Sequence, residues 1–110
     1  MRYEGYTKAI TDVVLAGPGH TPSELRRAVL ARAARLAGAR GGAPAPAPFA
    51  NYVDNVAQHA YKVTDTDVAG LQKAGASDDA LFEVTVAAAL GAALGRLERG
   101  MAALRGEEPD

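Results

Sequence analysis

The sequence predicts an all-α fold: a compact bundle of about five helices ending in a long C-terminal one. Three observations predict it. Residues 78–104 hold apolar side chains at helical spacing for more than seven turns. No segment shows the sustained apolar–polar alternation of a strand. Start and stop signals for helices recur between the apolar runs.

The first element spans residues 3–16. Tyr6, Ile10, Val13 and Val14 recur at helical spacing and mark an amphipathic helix. Gly17-Pro18-Gly19 stops it. In the next start signal, Thr21-Pro22-Ser23-Glu24, Thr21 is placed to cap, Pro22 suits the first helical position, and Glu24 completes a capping box. That helix is expected to reach Ala37, with Val29, Leu30, Ala33, Leu36 and Ala37 as its apolar stripe. Residues 39–48 are low in complexity. Their alternating Ala-Pro favours extended polyproline II, so they are expected to link two helices along the surface.

A third helix is expected over 49–62, burying Phe49, Tyr52, Val53, Val56, Ala60 and Val63. Thr64 then caps a short acidic-fronted helix over 65–74. Ser77 caps the long helix, with Asp78 and Asp79 at the positive end of its dipole. At about 100° per residue, Val86, Leu90, Leu94, Leu97, Met101 and Leu104 share one side. A second side is small: Val84, Ala88, Gly91, Ala92, Gly95 and Ala102. The expectation is that the large side faces the chain's own core. The small side is expected to meet another helix, from this chain or a second subunit. Residues 106–110 are expected to fray.

At 110 residues the chain reads as one domain, residues 1–110. Hydrophobic residues make up 48%, but alanine fills 25 positions and tryptophan none. A core so short of large side chains is thin, which favours a homo-oligomer. The formal net charge of −1 argues against a general nucleic-acid binder. Residues 22–42 carry five Arg and one Glu (+4), and residues 43–110 carry five basic and ten acidic groups (−5). Arg26, Arg27, Arg32, Arg35 and Arg40 spread round their helix, as a solvated face or a subunit contact would. The first residues lack the pattern of a signal peptide. No run of 18 apolar residues is free of charge. A cytoplasmic protein without membrane contact is therefore the expectation.

There is no cysteine, so disulfides, thiolate nucleophiles and Cys metal sites are ruled out. His20 and His59 are far apart and lack the spacing of metal ligands, so no metal or cofactor is expected. Asp65, Asp67, Asp78 and Asp79 are explained by capping, without a calcium loop. Gly17-Pro18-Gly19 makes a poor phosphate cradle, because Pro18 lacks the N–H that such a loop needs.

Three polar residues stand where apolar ones are expected. Glu83 lies in angular register with Leu90, Leu94 and Met101. A carboxylate so placed is either a general acid/base or a structural group reaching a neighbouring helix terminus. Arg26 falls inside the stripe of the second helix, to pair with Glu83 across the core or to carry its head to solvent. His59 sits at the edge of the third helix, as a pocket-lining proton carrier or as a surface residue.

The segment Thr64-Asp65-Thr66-Asp67-Val68-Ala69-Gly70-Leu71-Gln72-Lys73-Ala74-Gly75-Ala76-Ser77-Asp78-Asp79-Ala80-Leu81-Phe82-Glu83, with Arg96-Leu97 beyond it, resembles the C-terminal half of the alkylhydroperoxidase D-like / carboxymuconolactone decarboxylase family. The resemblance covers residues 49–104, and more weakly Pro22–Ala37. It implies an all-helical fold assembled as dimers, trimers or hexamers. Redox members carry Cys-X-X-Cys and a nearby His, where this chain has its Ala-Pro segment. Thiol peroxidase chemistry by that route is excluded. Two readings follow from the resemblance: a non-redox binding or assembly module, or a non-redox enzyme of the decarboxylase type using Glu83 and His59 as acid/base groups with a small-molecule ligand. Decarboxylases of this kind usually place a His just before the long helix's cap, where this chain has Lys73-Ala74-Gly75-Ala76. A third arrangement pairs the chain with a cysteine-bearing paralogue.

Overall fold

The computed structural model describes residues 4–38 and 43–107. Five α-helices follow in order: α1 Glu4–Ala16, α2 Ser23–Leu36, α3 Ala50–His59, α4 Asp65–Lys73 and α5 Asp78–Leu104. A 3₁₀ turn, Ala60–Lys62, extends α3, and no strand occurs among the described residues. The all-α expectation holds. The expected behaviour of residue 3, of residues 39–42 (Arg40 among them) and of the last three residues lies outside the described residues.

α5 is the axis of the molecule, and α2 makes the largest contact with it. A Cβ built on Gly91 would stand 2.2 Å from the Leu30 carbonyl oxygen, and one on Gly95 2.3 Å from that of Ala34. Gly38 meets Arg99. Each pair is offset by the same amount (91−30 = 95−34 = 99−38 = 61), so α2 and α5 run parallel in register. Such close approach is open only to glycine, whose missing side chain lets the backbones touch. Ala33, Ala87, Ala88 and Ala92 fill the seam, with Val29, Val53 and Val84 the largest fully buried side chains.

The small side meets another helix closely, as expected, and that helix is α2 of the same chain; the expectation that the large side faces the core is overturned. The small side of α5 faces the chain's own core. On the large side, Val86, Leu90, Leu94 and Met101 are half-buried, while Leu97 and Leu104 are exposed. The reason is mutual fit: the Ala-rich surface of α2 complements a Gly/Ala surface, and close-packed interiors reward that match. By length and composition alone the helix is apolar enough to span a membrane. Its small face is nevertheless packed on α2.

Other expectations need correction. In α1 only Leu15 is buried, and Tyr6, Ile10 and Val13 point outward. The α2 start has no side-chain cap, because the Thr21 hydroxyl is committed to Glu83 instead. Ala60 is exposed, and Ala57 takes its place in the core, since the chain tightens to 3₁₀ after His59. The Ala-Pro segment does not merely skirt the surface, as Ala45 enters the core, and Phe49 beyond it is buried as expected. α4 is as expected: Thr64 and Asp67 form a reciprocal capping box. So is the Ser77 cap, which accepts from the Ala80 N–H at 3.1 Å.

Gly100, on α5, has nothing within 4 Å of a built Cβ. Gly100→Ala should therefore raise stability by about 0.5–1 kcal/mol through helix propensity alone, read by urea denaturation.

Candidate functional site

The polar residues singled out from the sequence converge, apart from His59, on the corner between α1 and α2. Residues 17–21 turn there and lie against the first turns of α5. Gly19 lets the corner approach, since a Cβ at that position would stand 2.9 Å from both Glu83 carboxylate oxygens. The Glu83 carboxylate then accepts three hydrogen bonds. The His20 N–H donates to Oε2 at 2.6 Å, and the Thr21 N–H and hydroxyl donate to Oε1 at 2.8 and 2.5 Å. Burial pushes the Glu83 carboxyl up. The Thr21 hydroxyl, the two N–H groups and the His20 ring together outweigh burial, and the carboxyl settles below its usual value.

Arg26 does not pair with Glu83. It is 6% exposed, and its guanidinium turns to the end of α1. Nη1 donates to the Val14 carbonyl at 2.7 Å and Nη2 to that of Gly17 at 2.8 Å. The Ser23 hydroxyl donates to the Leu15 carbonyl. Both residues thus satisfy orphan carbonyls at the negative end of α1, where a cation is favoured. Arg26 Nε is buried without a partner.

Glu83 and Arg26 nevertheless line one cavity of about 180 Å³, with Val13, Val14, Pro18, Phe82 and Val86 as its apolar walls. At the same corner, the exposed His20 ring stands 3.6 Å from Asp79.

His59 lies elsewhere. It is exposed at the end of α3, edge-on to Tyr61 with ring centres 6.0 Å apart. Arg96 donates to the Ala57 carbonyl at 3.0 Å, so this end of α3 sits beside the middle of α5. Glu83 precedes Arg96 by 13 residues, roughly 20 Å along a helix at about 1.5 Å per residue. The two proposed acid/base groups therefore do not meet over a common ligand.

Other polar contacts hold the helices together. Arg32 forms a two-point bond with Asp54, at 3.0 and 3.1 Å, linking α2 to α3. That bond, opposed by burial and aided by the Asp54 charge, raises the Arg32 pKa. Thr85 gives its hydroxyl hydrogen to the Leu81 carbonyl at 2.7 Å, so the Tyr52 hydroxyl, 2.6 Å away, is the donor to Thr85. Sequence reasoning missed Gly19 and Thr21 as partners of Glu83. The adjacent Gly-His-Thr was a usable signal, because a glycine beside a capping residue suits the close approach of a carboxylate. Among the described residues no group of three or more His, Asp or Glu side chains gathers as a metal site would require.

A second concavity, of about 580 Å³, runs between α1 and the C-terminal half of α5. Leu94, Leu97 and Met101 form its floor, and Lys8, Asp12 and Glu98 stand at its rim. Comparison with protein-family models, with curated proteins and with solved structures found no match.

Proposed function

We propose that this protein is a non-redox binding or assembly module of the alkylhydroperoxidase D-like type, and that it works as a homo-oligomer. One observation carries the reading: many of the large apolar side chains are on the outside. Tyr6 is 72% exposed, Leu97 47% and Leu104 80%, while the largest fully buried side chains are valines. A 110-residue chain that leaves this many large apolar groups on its surface gains stability when a second copy covers them. The floor of the α1–α5 groove and the outward stripe of α1 supply the contact. A transient heterologous partner would not relieve the same shortage in the free chain. The enzyme reading has no geometric support, because Glu83 and His59 occupy separate places.

Size-exclusion chromatography with light scattering at micromolar concentration tests the proposal. The expected result is a dimer or larger, converted to monomer by Leu97→Glu with the helical circular dichroism retained. A wild-type chain that elutes as a monomer overturns it.

A further inference from the structure

We propose that the cavity under the α1–α2 corner binds a small zwitterion with an apolar side group, an aliphatic α-amino acid being the simplest of its class. The cavity lies apart from the α1–α5 groove but shares Val13 at its mouth with the outward stripe of α1.

The argument begins with two opposite charges that line one cavity without touching. In a partly buried setting a guanidinium and a carboxylate attract strongly, and free side chains would close on each other. Here each is held back. Arg26 is tied to the Val14 and Gly17 carbonyls, and Glu83 to His20 and Thr21. Neither is saturated. Two of the five guanidinium N–H groups are bonded, leaving hydrogens on both Nη atoms as well as the sealed Nε. Glu83 accepts three bonds where a carboxylate offers about four lone-pair sites. The charges are therefore preorganised and separated, with bonding capacity to spare. Binding gains from such an arrangement because the ordering is already done.

The walls complete the description. Val14, Pro18 and Val86 are apolar, and Val13 and Phe82 stand at the mouth, 76% and 69% exposed. An apolar pocket with a few convergent polar groups is the usual form of a small-molecule site. The charges also select the ligand. A simple carboxylate meets repulsion from Glu83, and a simple amine meets repulsion from Arg26. A molecule with both groups satisfies both, its carboxylate on Arg26 Nη hydrogens, its ammonium on Glu83 and its side group against Phe82. Size narrows the class. At about 30 Å³ per water of liquid, the cavity holds the equivalent of roughly six waters. Valine or leucine is of that order, and tryptophan is too large.

The test is a ¹H–¹⁵N NMR titration of the full chain with L-leucine, L-valine, isocaproate, isopentylamine and L-tryptophan. Leucine and valine should saturate shifts at the His20 and Thr21 amides, which report directly on Glu83. Isocaproate, isopentylamine and tryptophan should bind at least tenfold more weakly. Arg26→Leu removes the cation but also a helix cap, so Phe82→Ala serves as the folded variant. Its side chain is mostly exposed, and its loss should weaken leucine binding several-fold while leaving the spectrum dispersed. Three results would each overturn the proposal: no saturable shift with leucine at millimolar concentration, equal binding of the singly charged analogues, or unchanged leucine affinity in Phe82→Ala.

Discussion

Gly91→Ala should lower stability by about 3 kcal/mol, the upper end of what overpacking costs and a large fraction of a marginally stable domain's total. One methyl group carries this effect. The added carbon would stand 2.2 Å from the Leu30 carbonyl oxygen and 3.0 Å from Ala33 Cβ. The first neighbour is backbone, so no rotamer change relieves the clash, and α2 must move away from α5 as a unit. Separation forfeits contacts along the whole seam, including Ala34 with Gly95 and Gly38 with Arg99. Gly95→Ala should behave alike, with its Cβ 2.3 Å from the Ala34 oxygen. Gly100→Ala, on the same helix without neighbours, is the control and should stabilise. Urea denaturation followed by circular dichroism separates the three. If Gly91→Ala melts within a degree or two of wild type, the parallel α2–α5 register is wrong.

Glu83→Gln should cost about 1–3 kcal/mol at neutral pH, and the cost should depend on pH. An amide keeps one acceptor oxygen and presents an NH₂ group where the second stood. A backbone N–H of His20 or Thr21 then faces a donor, and the charge-assisted bonds at the corner weaken. The sign of the pH effect follows from the lowered carboxyl pKa. The unfolded chain takes up this proton more readily than the folded one, so its contribution grows as pH rises. It is fully present above the ordinary glutamate pKa of about 4.3, and is lost as pH falls through the lower folded value. The difference in stability between wild type and Glu83→Gln should thus be constant near neutrality and shrink at acid pH. Denaturant titrations at several pH values measure it. A difference that stays flat into strong acid would mean that Glu83 does not hold the corner as a carboxylate.

The two experiments probe the two kinds of information in this chain. Helix positions were legible locally. Ser77 with Asp78 and Asp79, Thr64 with Asp67, and the Gly17-Pro18-Gly19 stop each act within a turn or two, where capping and backbone restriction dominate. The out-of-place character of Glu83 and Arg26 was legible too, because a charged group in an apolar stripe departs from period. Their partners were not. Whether Arg26 reaches Glu83 or the end of α1 depends on where residues 17–21 lie against α5, and Gly19 decides that by letting the carboxylate approach. Thr21 was read as a helix cap because its local pattern permits it. A carboxylate 62 residues away competes for the same hydroxyl and wins.

The helical fold class and the places where helices begin and end were determined by the sequence alone, since those choices rest on interactions within a few residues. Which face of 78–104 is the inside was decided only in three dimensions. Both faces are apolar, and hydrophobic pattern cannot rank them. The Gly/Ala face went inward because α2 offers a small-residue surface that matches it, and contact between backbones is set by the pair of helices together. The large side was left half-buried by that match, with Leu97 and Leu104 exposed. The thin core expected from composition is therefore accompanied by an exposed apolar surface, which is the ground for proposing that the protein assembles.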